Sequence, residues 1–251
     1  MAEALRLYGL KAVVMAGASG IGEAISRTLV KHGADVLALD TANSGVDSTY
    51  DSVRGVIGNT ISPDADDLGA AVVQAAKSAL GGIDIVINYV ELPQDGTIDD
   101  DDEDALEQLL HARSQMYDSV ATAALPFLKN SPAGRIINIG FVRSVFGIKG
   151  EKAFEKSRQQ LEDFCVSLAK AHGSFGVSAN YIQPGGIMTR ESRKVYSANI
   201  DLRDYCIQRS AVRRLGETVD VAKVALFFAS DDAGFVNGTG VIVDGGRASG
   251  D

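Results

Sequence analysis

Residues 11–40 read KAVVMAGASGIGEAISRTLVKHGADVLALD and predict a strand, a glycine-rich turn, a helix and a second strand in succession. The apolar run 12–15 is typical of a buried parallel strand, and the glycines that follow break it. Apolar residues then recur at helical spacing as far as Gly33, and residues 35–39 resume an extended pattern. This strand–turn–helix–strand unit predicts an α/β fold built on a parallel sheet.

The glycine-rich turn favours binding of a phosphate group. Gly17, Gly20 and Gly22 let the backbone come close to an anion, and the N–H groups at the start of the next helix point towards it. Asp40 follows the turn by about 20 residues, the distance at which a carboxylate accepts hydrogen bonds from the ribose of a dinucleotide. A carboxylate repels a 2′-phosphate and no basic residue follows before Arg54, so we expect NAD to be preferred over NADP. A purely structural turn is the alternative interpretation.

The composition limits the class of protein. The chain has 251 residues, of which 45% are hydrophobic and 23% are charged, and its net charge is −9. These values fit a single domain over residues 1–251. The acidic balance argues against nucleic-acid binding, and no apolar run reaches the ~18 residues of a membrane span. Cys165 and Cys206 have no spacing suited to zinc, so we expect a cytoplasmic protein without a metal site.

Strands and helices alternate along the rest of the chain. After a loop over residues 41–51, the predicted strands are 54–60, 83–88, 135–139, 177–182 and 240–243, and the predicted helices are 63–80, 106–128, 152–172 and 217–229. This order predicts a single-domain Rossmann fold, a doubly wound parallel seven-stranded sheet with helices on both faces. Residues 190–209 are expected to form a substrate flap, helical from residue 195. The acidic run 99–104 is typical of a helix start, with a metal site as the alternative.

The sequence resembles the short-chain dehydrogenase/reductase family over almost its whole length. Segment 16–22, AGASGIG, is similar to the family's T-G-x-x-x-G-x-G turn, although Met15 replaces the Thr and Ala16 the first Gly. Segment 182–189, IQPGGIMT, matches the family's P-G loop. Segments 214–217, 226–231 and 243–246 match its C-terminal third. The resemblance implies a single-domain Rossmann fold, a nicotinamide dinucleotide as cofactor, and assembly into homodimers or homotetramers.

The resemblance also implies a set of cofactor-binding residues. These are Gly17, Ser19, Gly20, Ile21, Gly22, Asp40, Thr60, Asn88, Pro184, Gly185, Ile187 and Thr189. In the family, the residue at Ile187 offers backbone groups to the nicotinamide amide, and the hydroxyl at Thr189 also contacts the cofactor. Thr60 is expected at the exposed end of the third strand, near the adenine. The family's N-N-A-G segment is changed to residues 88–91, NYVE, in which Glu91 adds bulk and negative charge close to the pyrophosphate.

The four catalytic positions of the family hold different residues in this chain. In the family a Tyr exchanges a proton with the substrate, a Lys lowers its pKa, a Ser polarises the substrate oxygen and an Asn holds a water relay. The matching positions here are Phe141 for Ser, Phe154 for Tyr, Arg158 for Lys and Arg113 for Asn. Phenylalanine has no proton to transfer, and a guanidinium stays protonated at working pH. We therefore expect little or no standard dehydrogenase activity.

Three functional hypotheses follow from the sequence. The first is a pseudoenzyme that binds NAD and serves as a sensor, a scaffold or a partner subunit of an active relative. The second is an active NAD-dependent oxidoreductase of an alcohol or ketone with a relocated proton donor, for which Tyr89, Tyr196 and Tyr205 are the candidates. The third is non-redox chemistry in which Arg158 and Arg113 together grip an anionic substrate. No pattern in the flap names the substrate.

Overall fold

The computed structural model describes residues 6–62, 67–91 and 96–246, which form a layered α/β fold. The strands are β1 Lys11–Met15, β2 Asp35–Asp40, β3 Val56–Thr60, β4 Ile85–Asn88, β5 Arg135–Ile139, β6 Ser178–Pro184, β7 Ile187–Met188, β8 Gly216–Glu217 and β9 Gly240–Val243. The helices are α1 Gly20–Lys31, α2 Val46–Thr49, α3 Leu68–Leu80, α4 Glu103–Leu128, α5 Glu151–His172, α6 Arg190–Ala198, α7 Ile200–Arg209 and α8 Thr218–Ala229. Short 3-10 turns lie at Arg143–Val145, Gly173–Phe175 and Asp231–Ala233.

Seven strands form one parallel sheet in the order β3-β2-β1-β4-β5-β6-β9. Val13 in β1 pairs with Leu37 on one side and with Val86 on the other, which sets the register at the centre of the sheet. Helices α1 and α8 cover one face, and α3, α4 and α5 cover the other, each over its own apolar core. The predicted doubly wound Rossmann fold is therefore confirmed. Its strand order reverses between β1 and β4, where such sheets bind ligands.

Several predicted boundaries differ from the observed ones. The expected loop 41–51 contains the short helix α2, and the predicted strand 177–182 continues to Pro184. Helix α3 begins at Leu68, after Asp67 accepts a hydrogen bond from the backbone N–H of Ala70. The proposed helix start at Pro63 lies outside the described residues. The flap 190–209 forms α6 and α7, and a two-stranded sheet of β7 and β8 at its base was not predicted.

The acidic run 99–104 leads into α4, with Glu103 and Asp104 in its first helical turn. The Asp100 carboxylate accepts a hydrogen bond from the backbone N–H of Ala153 at the start of α5. Within residues 6–62, 67–91 and 96–246, no cluster of three His, Cys, Asp or Glu side chains is arranged to hold a metal ion. Over the same residues, every helix is too short or too polar to cross a membrane.

Candidate functional site

The glycine-rich turn joins the end of β1 to α1 and keeps the backbone shape that its sequence predicts. Gly20 has a φ of +57°, and a Cβ on Gly22 would lie 2.0 Å from the carbonyl oxygen of Ala16. Ala16 also adopts a left-handed conformation, with a φ of 51°. A residue that has a Cβ is strained in the left-handed conformation, which explains why the family has glycine at this position. Gly17 donates its N–H to the carbonyl of Leu39, which fastens the turn to β2.

Asp40, at the end of β2, ties the turn and its own strand together. Its Oδ2 accepts the backbone N–H of Ala18 at 2.9 Å, and its Oδ1 accepts that of Thr41 at 2.7 Å. The hydroxyl of Tyr50 donates to the carbonyl of Gly17 from beneath the turn. Each carboxylate oxygen has a further lone pair, so Asp40 can still accept hydrogen bonds from a ribose.

A carboxylate lies directly over the glycine turn. Oε2 of Glu91 accepts the hydroxyl of Ser19 at 2.9 Å, and its Oε1 lies 3.1 Å from the place that a Cβ on Gly20 would take. Oε1 is buried without a hydrogen-bond partner in the described structure. Burial raises the pKa of Glu91, the Ser19 hydrogen bond opposes this, and the nearby Asp40 and Glu191 raise it further. The carboxylate thus stands at the N-terminal end of α1, where a phosphate would otherwise be favoured.

A cleft of about 670 Å³ opens beside the turn, between α4 and the carboxyl ends of β1, β2 and β4. Its walls include Asp40, Ile61, Tyr89, Glu91, Arg113 and Met116. Thr60 is exposed at the end of β3, and the wall at that point is formed by the next residue, Ile61. Asn88 is buried beneath the cleft, where its Nδ2 donates to Oδ1 of Asn138 at 2.9 Å.

The P-G loop approaches the glycine turn from the other side. Pro184 ends β6 and pairs with Val243, while the buried Ile187 pairs with Gly216 in the small second sheet. The backbone N–H of Ser192 donates to the hydroxyl of Thr189 at 3.0 Å, which starts α6. A Cβ on Gly20 would lie 3.7 Å from Cβ of Thr189, so the fold brings these distant segments together. Among the other predicted residues, Gly185 lines a second cavity and Ile21 is buried in the core.

Aromatic rings fill the region around Phe141 and Phe154, the two positions that we expect to match the family's Ser and Tyr. Phe141 is buried and its ring centroid lies 6.5 Å from that of Phe146. Phe146 in turn meets Phe154 edge to face at 5.4 Å. We call Phe141, Phe146 and Phe154 the aromatic cluster. Its three side chains carry no group that can give or take a proton.

Arg113 is a buried cation that rests on this cluster. Its guanidinium carbon lies 4.3 Å from the centroid of the Phe141 ring, and the residue is 2% exposed. Nη2 donates to the carbonyl of Ser157 at 2.7 Å and to Oε1 of Gln160 at 2.9 Å, whereas Nη1 is buried with no partner among the described residues. Burial lowers the pKa of Arg113 to about 10, so the side chain still carries its charge at neutral pH.

Arg158 is neutralised by acids on its own helix. Its guanidinium donates to Glu155 at 2.5 Å, to Glu162 at 2.6 Å and to the hydroxyl of Tyr181 at 2.9 Å. The hydrogen bond to Glu155 is the main cause that raises the pKa of Arg158 above its ordinary value. Arg158 lines the second cavity, of about 240 Å³, and not the cleft beside Arg113. The hypothesis that the two arginines jointly grip one anion is therefore wrong.

The three candidate proton donors lie in different environments. Tyr89 and Tyr196 are both buried, and burial raises the pKa of each hydroxyl well above 10.0. Tyr205 lines the second cavity together with Phe154. Its hydroxyl donates to Glu151 at 2.6 Å and accepts from Nε of Arg209 at 3.3 Å. Tyr89 also lines the large cleft, but of the three it is Tyr205 whose hydroxyl hydrogen-bonds a carboxylate, which makes Tyr205 the best placed to exchange a proton.

Some contributors to the site carry no clear signal in the sequence. Phe146 lies in an irregular segment, and its place in the aromatic cluster follows from tertiary packing. Arg143 is buried, donates to the carbonyls of Phe146 and Gly147, and faces the ring of Tyr205 at 5.1 Å. No periodicity or motif marks either residue.

Known proteins resemble this chain over almost its whole length. A family model described as enoyl-(acyl carrier protein) reductase matches residues 15–248. The 3-oxoacyl-(acyl-carrier-protein) reductase FabG of Pseudomonas aeruginosa is 30% identical over 246 residues, which are 96% of this chain and 98% of the relative. FabG of Vibrio cholerae is 27% identical with the same coverage, and an uncharacterized oxidoreductase of Mycobacterium tuberculosis is 30% identical over 96% of this chain and 93% of its own length. The matched range includes the glycine turn, the P-G loop and Arg113, Phe141, Phe154 and Arg158.

Proposed function

The chain belongs to the short-chain dehydrogenase/reductase family, and from that premise we propose that it binds a nicotinamide dinucleotide without catalysing the family's reaction. It then serves as a sensor, a scaffold or a partner subunit. The observation that supports this proposal is the aromatic cluster, because its hydrocarbon rings lie at the positions where we expect the family's Ser and Tyr hydroxyls.

The cofactor part of the proposal is supported by the cleft at the switch point of the sheet. Asp40 would accept hydrogen bonds from the adenosine ribose, and its charge favours NAD over NADP. The P-G loop, with Ile187 and Thr189, would hold the nicotinamide end. Glu91 fits this arrangement only after its carboxylate swings away from Ser19, because it stands where the pyrophosphate belongs. When bound, such a cofactor supplies the hydride-exchanging group.

The catalytic part of the proposal concerns the proton. Hydride transfer to or from a carbonyl needs a partner group that gives or takes a proton at the substrate oxygen. Neither Phe141 nor Phe154 has one, and Arg113 stays protonated and is held by α5. Arg158 donates to two carboxylates of its own helix and, as a guanidinium, has no lone pair with which to take a proton.

A second candidate function is an active oxidoreductase, favoured by the likeness to the FabG reductases and by Tyr205. This hydroxyl lies in the second cavity beside Phe154 and Gly185, next to Glu151 and Arg209. In this alternative Tyr205 exchanges the proton that the family's Tyr otherwise exchanges, with Glu151 as its hydrogen-bond acceptor.

One set of measurements separates the two functions. Calorimetric titration with NAD and NADP tests cofactor binding, and turnover is followed at the nicotinamide absorbance with alcohols, ketones and 3-oxoacyl thioesters. We expect NAD to bind and every substrate to give no turnover, with an active FabG as the assay control. Turnover that Tyr205→Phe abolishes would establish the alternative. Absence of binding by either nucleotide would refute the cofactor proposal.

A restoring variant tests the role of the aromatic cluster. Phe141→Ser, Phe154→Tyr, Arg158→Lys and Arg113→Asn together reinstate the four polar groups of the family. We expect this variant to gain weak NAD-dependent turnover, and the same variant without Phe154→Tyr to stay silent. If both variants fold and bind NAD but neither shows turnover, these four positions do not account for the absence of activity.

We also propose that the chain forms a homodimer or homotetramer, as its family membership implies. Strand β9 lies at the edge of the sheet and exposes Val241 and Ile242, and Phe235 nearby is fully exposed. An exposed apolar sheet edge is a common site of self-association. Light scattering coupled to size exclusion would show a monomer if the proposal is wrong.

A further inference from the structure

The guanidinium of Arg113 has neutral neighbours on every side that the structure describes. Its contacts are the ring of Phe141, the carbonyl of Ser157 and the side-chain amide of Gln160. The two titratable groups that act on it are the hydroxyl of Tyr117 and the thiol of Cys165. Burial raises the pKa of both groups far above neutrality, so both are uncharged. Within the described residues, no carboxylate balances the buried charge.

A buried cation without a counter-ion is unfavourable, and so is a buried N–H donor without an acceptor. Arg113 has both features, because Nη1 makes no hydrogen bond within the described structure. The side chain is nevertheless held in one geometry, with Nη2 fixed by two acceptors on α5 and the guanidinium plane supported by Phe141. A charged donor that is held rigid and left unsatisfied is prepared for an external acceptor.

Arg113 is one of the residues that line the large cleft, together with Tyr89 and Glu91. We infer that this cleft binds a small monocarboxylate with an apolar body, whose carboxylate accepts hydrogen bonds from Nη1 of Arg113. This inference goes beyond the proposed function, because the acid is a ligand other than the nucleotide.

The walls of the cleft define the class of ligand. Close to Arg113 they are apolar, formed by Val90, Leu109, Ala112 and Met116. A carboxylate oxygen can accept a charge-assisted hydrogen bond from Nη1, and the apolar walls favour a hydrocarbon body. Glu91 lies in the same cleft and repels a second negative charge, which disfavours phosphates and dicarboxylates.

The test is calorimetric titration of the full-length protein, without nucleotide, with benzoate and butanoate and with their neutral amides as matched probes. We expect the carboxylates to bind and the amides not to bind. Arg113→Met removes the charge at similar volume and should weaken binding by roughly tenfold to a hundredfold, the effect of one charge-assisted hydrogen bond. Arg113→Lys should bind with intermediate affinity. Arg54→Met removes a charge from an exposed arginine and should leave binding unchanged.

The outcomes separate this inference from the proposed function. Because no nucleotide is present, a failure of NAD binding has no bearing on the result. Equal binding of benzoate by the wild type and by folded Arg113→Met would overturn the inference, as would failure of the wild type to bind either acid. Binding of inorganic phosphate with no binding of either carboxylate would overturn the assignment of the ligand class. The thermal midpoint of Arg113→Met verifies that the variant is folded.

Discussion

Removal of the Glu91 carboxylate should tighten NAD binding. The pyrophosphate needs the start of α1, where Oε2 of Glu91 now accepts the Ser19 hydroxyl at 2.9 Å. Displacing Glu91 breaks a hydrogen bond to a charged group, which costs about 1.5–3 kcal/mol. If Glu91 stayed in place, its carboxylate and the pyrophosphate would be two like charges about 4 Å apart near the protein surface and would repel by roughly 4 kcal/mol. Displacement of Glu91 therefore costs less free energy. We therefore expect Glu91→Ala to lower the Kd for NAD by roughly tenfold to a hundredfold at neutral pH.

The assay is calorimetric titration of NAD at constant ionic strength. Glu107→Gln is a matched control, because Glu107 is an exposed acid on α4 and its loss changes the net charge equally. We expect this control to bind NAD as the wild type does. If Glu91→Ala binds NAD no more tightly than the wild type, the carboxylate does not compete with the pyrophosphate and this reasoning is refuted.

The pH dependence gives a second readout for the same carboxylate. Burial raises the pKa of Glu91 above its ordinary value of 4.5, so Glu91 binds a proton more readily in the folded protein than in the unfolded chain. NAD affinity of the wild type should therefore rise as the pH falls through this raised pKa, while Glu91→Gln should not show that rise. The stability that Glu91 contributes is fully present below pH 4.5 and is lost as the pH rises through the raised pKa. In urea unfolding, the free energy of unfolding of Glu91→Gln should therefore increase relative to that of the wild type as the pH rises across this window.

Further predictions concern the turn, the thiols and the second cavity. Ala16→Gly should stabilise the protein by up to about 1 kcal/mol, because it removes the strain of an alanine in the left-handed conformation. Ala24→Gly, inside α1, should destabilise it by about 1 kcal/mol. Equal losses of unfolding free energy in urea would contradict this expectation. Burial raises the pKa of Cys165 to about 12 and also raises the pKa of Cys206. Neither thiol should therefore react with a maleimide until the protein unfolds. Rapid labelling of the native protein would contradict their burial. If the protein proves active, Tyr205→Phe should abolish the activity; full retention would exclude Tyr205 as the proton donor.

The sheet could be predicted from the sequence because its strands are buried on both faces. Such strands appear as continuous apolar runs between turn residues, and β5 and β9 have the predicted bounds. Helix α2 has four residues and β7 and β8 have two each, which is too short to show a periodicity. These short elements are set by tertiary contacts, such as the pairing of Ile187 with Gly216.

The contacts between side chains at the site were harder to predict from the sequence than the positions of the residues in the fold. The hydrogen bond between Ser19 and Glu91 joins residues 72 apart, and no local pattern indicates it. The sequence did indicate the partners of Arg158, because Glu155 lies three residues before it and Glu162 four residues after it on the same helix. That spacing favours an arginine bound to its own helix and not one directed at a ligand.

The contact between Arg113 and Phe141 has a consequence for how this chain could change over time. Phe141→Ser alone would remove the ring that supports a buried charge, and Arg113→Asn alone would leave the acceptors on α5, Ser157 and Gln160, without their donor. Each single step towards the polar residues of the family is therefore expected to lose stability. Such epistasis would make these positions hard to change one substitution at a time.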